Sequence, residues 1–264
     1  MIELREFSMG YGSRRLLDGV GATFGNGRLT ALIGRNGAGK STLLRALAGL
    51  NRSYGGEILL DGTDLRRLGA PRLAKAVAVV TTQRTRIPNL SCRQVVAIGR
   101  APYTDWLGRL GDRDRRIVDA ALDQVGMADY ASRTMDKMSD GECQRIMIAR
   151  ALAQDTPTIL LDEPTSFLDL PNRYQLAELL QHLAHEQGKC VLFSTHELDV
   201  AMRLCDDIAL IDDGRLYHLP VAEMAASGHL SRLFGTAAMP DYGFLSPQDG
   251  NGKDNIQGKT TGND

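Results

Sequence analysis

Two rhythms of apolar and polar positions alternate along this chain. Short apolar runs at 29–33 (L-T-A-L-I), 77–80 (V-A-V-V), 158–161 (T-I-L-L), 190–193 (C-V-L-F) and 208–211 (I-A-L-I) are continuous, not alternating. Such runs predict strands covered on both faces, as in a parallel sheet between layers of helices. Further strands are predicted at 2–7 and 57–60. Amphipathic stretches predict helices at 40–48, 94–98, 114–125, 141–153, 172–186 and 198–204. The first part, to about residue 65, reads strand-rich, whereas 84–156 carries helix signals and almost no strand. The pattern predicts an α/β core at about 1–83 and 157–235 with a helical insert at about 84–156. The remainder, 236–264, ends in the polar, glycine-rich G-N-G-K-D-N-I-Q-G-K-T-T-G-N-D and is expected to be a disordered tail.

Composition narrows the function classes. The 264 residues are 43% hydrophobic and 24% charged with a net charge of −1, so bulk electrostatics favour neither nucleic acid nor an anionic membrane. The four cysteines have no metal spacing and read as free thiols of a reducing compartment. The N-terminus lacks the basic and apolar regions of a signal peptide. No apolar run approaches the ~18 residues that span a bilayer, so a membrane link is expected only through a partner.

Candidate chemistry begins at 34–42. Gly34, Arg35, Asn36, Gly37, Ala38, Gly39, Lys40, Ser41 and Thr42 match G-x-x-x-x-G-K-[ST], after a predicted strand and before a predicted helix. Glycines let backbone N–H groups turn inward around a phosphate chain, and the helix aims its positive end there. Lys40 is placed to reach terminal phosphates, and the Ser41 hydroxyl to ligate Mg²⁺.

A second signal is T-I-L-L-D-E-P at 158–164, an apolar strand running into two acids. Neighbouring strand residues point to opposite sides, so the two carboxylates are expected to do different work. Asp162 is assigned to a Mg²⁺ shell beside Ser41. Glu163, where Pro164 stops the strand, is free to polarise a water aimed at a γ-phosphate.

The third signal is S-D-G-E at 139–142 before C-Q-R-I-M-I-A-R-A-L-A. Ser139 and Glu142 form a capping box, which by itself explains the pattern. A second reading stands beside it. Gly141 admits a phosphate to the backbone, and Ser139 lends its hydroxyl, which makes a second anion site. Two anion sites on one chain suggest two chains sharing two nucleotides head to tail.

The ordered motifs resemble the ATP-binding cassette (ABC) ATPases over 2–235. The phosphate loop at 34–42, Gln83 after A-V-A-V-V, M-S-D-G-E at 138–142, I-L-L-D-E-P at 159–164, S-F-L-D at 166–169 and S-T-H at 194–196 follow in the family's order. The resemblance implies a P-loop NTPase (RecA-like) fold: a mostly parallel sheet, an N-terminal antiparallel part and an inserted helical subdomain. It implies ATP and Mg²⁺ as ligands. Tyr11 would stack on adenine, and Gln83 would touch Mg²⁺ and the attacking water. His196 would bond the γ-phosphate and orient Glu163, and Asp169 would build a homodimer seam. The signature, usually L-S-G-G-Q, departs at Met138, Asp140 and Glu142. Asp140 sets a negative charge near the proposed phosphate, which weakens binding unless it points away. Thr82 replaces a common proline. Cys143 reads as a small core residue.

Within the family, the stretch from 90 to 110 resembles the iron-chelate, haem and vitamin B12 importer ATPases. That implies two separate membrane permease subunits, a substrate-binding protein acting indirectly, and a place on the cytoplasmic face of the membrane. Arg84, Arg86, Arg93 and Arg100 would flank the groove for a permease helix, or else form a solvated basic face. A soluble assembly ATPase, such as one of iron–sulfur cluster building, is the alternative. A GTPase is disfavoured because no N-K-x-D segment is present, and a nucleotide kinase because it leaves M-S-D-G-E and S-T-H without a role.

Overall fold

The computed structural model describes residues 1–12, 14–82 and 86–235. Gln83, Arg84 and the proposed tail at 236–264 lie outside the described residues. The strands are β1 (Ile2–Tyr11), β2 (Arg14–Phe24), β3 (Arg28–Gly34), β4 (Gly55–Leu60), β5 (Thr63–Asp64), β6 (Val77–Val80), β7 (Thr158–Leu161), β8 (Cys190–Ser194), β9 (Asp207–Asp212) and β10 (Arg215–Pro220). The helices are α1 (Lys40–Leu47), α2 (Ala70–Ala76), α3 (Cys92–Ala97), α4 (Asp112–Gln124), α5 (Asp140–Ala153), α6 (Leu170–His185), α7 (Leu198–Leu204), α8 (Val221–Ala226) and α9 (His229–Phe234).

Two sheets form. One runs β10-β9-β3-β8-β7-β6, parallel except for the edge hairpin β9–β10. The other, β2-β1-β4-β5, is antiparallel. The continuous apolar runs do face two cores. On β3, Leu29, Ala31 and Ile33 join the cluster with α3, α4, α5 and α6, whereas Leu32 joins the one between α1 and the antiparallel sheet. On β7 and β8, Ile159, Leu161, Val191 and Phe193 face the first cluster, and Leu160 and Leu192 the second. Period-two alternation survives in space although both faces are apolar.

The structure extends several sequence expectations. The first strand runs on to Tyr11 because a bulge at Glu6, with φ of 45°, re-phases it. Strand β2 escapes periodicity because R-R-L-L-D-G-V-G-A-T-F carries two glycines and an irregular burial pattern. Strand β10 is an edge strand ending at Pro220. The predicted helix at 94–98 starts earlier, where Ser91 and Gln94 close a capping box.

Between β6 and β7 the described elements are helices and 3₁₀ turns, packed through the first apolar cluster and joined by a buried arginine. Arg100, only 4% exposed, bonds Asp114 at 2.9 Å and the Ala153 carbonyl at 2.8 Å. Arg100 is therefore not part of a solvated basic face: it ties the start of α4 to the end of α5. Asp114 also accepts the Gly111 N–H at 3.0 Å, capping α4. The Arg100 guanidinium, with help from that N–H, holds the Asp114 carboxyl below the usual range. A depressed carboxyl contributes stability above its unfolded pKa of about 3.9 and loses it as pH falls through the lower folded value. Asp114→Ala leaves a buried guanidinium without its anion. A loss of about 3 kcal/mol is expected at pH 7 in urea unfolding, shrinking when the titration is repeated at acid pH.

Candidate functional site

The phosphate loop is built by the central strand of the parallel sheet. β3 ends at Gly34, where a Cβ would lie 2.8 Å from the Ile211 carbonyl, so the neighbouring strand requires glycine. Gly37 and Gly39 take φ of 76° and 110°, turning the chain before α1 begins at Lys40. Lys40 is buried and folds over the loop, its Nζ donating to the Gly34 carbonyl at 2.8 Å and to Arg35 at 3.4 Å. Burial pushes the ammonium below the usual lysine range, while the carboxylates of Glu163 and Asp162 oppose that shift. Residues 35–37 of the loop are exposed.

Those two carboxylates sit past the end of β7. Asp162, 3% exposed, accepts the Ser194 hydroxyl at 2.7 Å and the Thr82 hydroxyl at 3.4 Å. Glu163 turns away with φ of 48°, a left-handed conformation uncommon for glutamate. The separation of the two acids was expected from strand alternation; a backbone reversal produces it, because the regular strand has stopped at Leu161. The Glu163 carboxylate meets His196 Nε2 at 2.5 Å and is partly exposed. On the antiparallel sheet, Tyr11 is 60% exposed, and its hydroxyl lies 3.2 Å from Thr42 Oγ1.

Ser139, Gly141 and Glu142 are elsewhere. Ser139 caps α5, accepting the Glu142 N–H at 3.3 Å, while Glu142 accepts the Ser139 N–H at 2.7 Å. That backbone bond holds the Glu142 carboxyl below its ordinary value. The capping box is therefore real. The helix end also borders a cavity of about 530 Å³, shared with Phe167 and Asp169 and without any residue of the phosphate loop. A Cβ on Gly141 would stand 3.2 Å from the Phe167 carbonyl. Asp140 forms an ion pair with Arg86 at 2.7 Å, so its charge has a cationic partner. Cys143 is buried in the core.

The segment 163–169 joins the two places. The Glu163 carbonyl accepts the Ser166 N–H at 3.2 Å and its hydroxyl at 2.9 Å, and Asp169 caps α6 at the other end. Arg173 bonds the Leu168 carbonyl at 2.7 Å and Glu197 at 3.1 Å, leading back beside His196. Sequence reasoning gave no role to Arg14, which donates to the Gly37 carbonyl at 3.3 Å, or to Ser194. The signal for Ser194 was a hydroxyl at the end of the strand that pairs with the Asp162 strand.

Of the arginines expected beside a groove, Arg86 and Arg93 are exposed and ion-paired, and Arg100 is buried. Arg93 meets Asp119 at 2.5 Å, and Arg86 and Arg100 are paired as above. An apolar hollow of about 420 Å³ lies among Leu50, Leu73, Ile98 and Pro102, with Arg52 and Arg150 in its wall and Gly99 and Ala101, the neighbours of Arg100, along its edge.

Residues 17–166 match the model of the ABC transporter family. An iron(3+)-hydroxamate import ATP-binding protein of Bacillus subtilis is 38% identical over 202 residues, 76% of this chain and 75% of that one. A dimeric ATP-binding cassette bound to ADP and phosphate superposes with a TM-score of 0.74 at 26% identity, covering 84% of this chain and 99% of the other. An inward-facing ABC transporter assigned to the metal-chelate type gives a TM-score of 0.77 at 27% identity, covering 88% of each chain. With its phosphate loop, mixed sheets and signature-bearing helix, this chain belongs to the ABC transporter family as an ATP-hydrolysing, ATP-binding subunit.

Proposed function

We propose that the chain powers import of a metal chelate, such as an iron chelate, haem or cobalamin, through separate membrane permease subunits. Two copies would share two ATP molecules head to tail. The observation that carries the shared site is the separation of its halves: Lys40, Asp162, Glu163 and His196 converge at the phosphate loop, whereas Ser139 and Gly141 open on another cavity. The cargo class rests on the iron-hydroxamate relative and the metal-chelate neighbour. No helix of the described residues is long and apolar enough to cross a membrane, which fits a permease supplied by other chains at the cytoplasmic face. A substrate-binding protein would act through those permeases. The assembly-ATPase alternative is not favoured by these relatives.

The donor set fits Mg²⁺. Among the described residues no group of three His, Cys, Asp or Glu side chains could hold a metal. Mg²⁺ asks for only one or two carboxylates beside phosphates and waters. Asp162 accepts two hydroxyls in the structure, and a carboxylate has about four acceptor positions, so capacity remains for a cation or its water. Asp162 and Ser41 would hold the ion with Gln83, and it would neutralise charge on the phosphate oxygens. The amides of residues 34–42 and Lys40 would clasp the phosphates. Tyr11 would stack on adenine. Glu163 would take the proton of the attacking water, with His196 fixing its carboxylate. Ser139 and Gly141 of one copy would close on the γ-phosphate held by the other, and Asp169 would lie in the seam.

Glu163→Gln is expected to bind ATP, hydrolyse it ~10²-fold more slowly or worse, and accumulate as an ATP-held dimer on a sizing column. Adding Ser139→Arg should return that species to monomer with ATP still bound. A wild-type rate for the first variant sinks the assignment of the base, and an undisturbed dimer for the second sinks the shared site.

The apolar hollow is the proposed seat of a permease helix. Leu50 is 63% exposed and Ile98 45%, so substitutions there spare the core. Leu50→Glu should lose co-purification with the permease from detergent-solubilised membranes while binding ATP normally. Full retention of the permease would place its contact elsewhere.

A further inference from the structure

We infer that Ser194 is a positioning residue, holding the proposed magnesium acid and the proposed catalytic acid in one frame. The inference rests on the roles proposed above for Asp162 and Glu163. Strands β7 and β8 pair in parallel register, with Leu161 opposite Phe193. One step further along, Ser194 faces Asp162. Its hydroxyl is fully buried and uses both its donor and an acceptor position. It donates to Asp162 Oδ1 at 2.7 Å and accepts the backbone N–H of Glu163 at 2.8 Å.

The two bonds do different work. The first fixes one carboxylate oxygen, so Asp162 cannot rotate freely and its other oxygen keeps one direction. The second satisfies the N–H of a residue in a left-handed turn, where no strand partner is in register to accept it. Releasing that N–H frees the turn that aims the Glu163 side chain at His196. The Thr82 bond to Asp162, at 3.4 Å, is too long to replace the first. Partners behind a metal-holding carboxylate orient it, and losing one typically costs 10–100-fold in metal affinity.

The test compares Ser194→Ala and Ser194→Thr in the full chain. A fluorescent ATP analogue is titrated in EDTA and then against MgCl₂, and steady-state hydrolysis is measured in parallel. For Ser194→Ala the MgCl₂ giving half-maximal tightening is expected to rise about tenfold. Binding in EDTA should stay within twofold, and kcat should fall more than KM rises. Ser194→Thr, which restores a hydroxyl, should recover most of the Mg²⁺ dependence. If the alanine variant melts below the assay temperature, Ser194→Cys keeps the volume with only a weak thiol donor and must show the same rise. An unchanged Mg²⁺ half-point in a folded variant overturns the inference, and so does an equal loss of binding in EDTA. Asp162→Asn separates the two levels. If it raises the half-point and Ser194→Ala does not, Ser194 alone is misassigned. If neither moves it, the reading of Asp162 falls as well.

Discussion

The structure turns on one buried anion. Asp162 ends an apolar strand between two hydrophobic cores, where an uncompensated carboxylate is costly. Hydroxyls from Ser194 and Thr82 accommodate it, and so does the field of the equally buried Lys40 across the site. Each group would be a liability without the others. Lys40 itself rests on the Gly34 and Arg35 carbonyls, and at Gly34 the chain passes too close to Ile211 for a side chain. The central sheet thus brings a buried cation and a buried anion to one site.

Much of this was legible because it was local in sequence. The strand–loop–helix at 28–47 and the strand entering Asp162 are written in consecutive residues, and continuous apolar runs announced burial on both faces. What escaped was whatever depends on distant chain. Arg100 read as a surface cation because its partner Asp114 and the Ala153 carbonyl meet it only through α4 and α5. Strand β2 hid behind its glycines. The left-handed turn at Glu163 defeats any rule based on alternation, because nothing in D-E-P-T spells out a reversal.

Asp140 shows how a motif departure is absorbed. A charge on the first turn of α5 is acceptable to the helix, whose N-terminus favours anions. The ion pair with Arg86 then ties that turn to the segment after β6. Motif and departure are compatible because the side chain has a cation of its own and leaves the capping box of Ser139 and Glu142 intact.

The bridge from Glu163 through Phe167 to Gly141 carries a further meaning. Its two ends are held by hydrogen bonds and close backbone packing. In the proposed shared site, the half that would cut and the half that would clasp are joined by this short segment within one polypeptide. In a two-fold pair each copy would feel its own chemistry and its neighbour's through the same short strut, so firing order becomes a property of the pair.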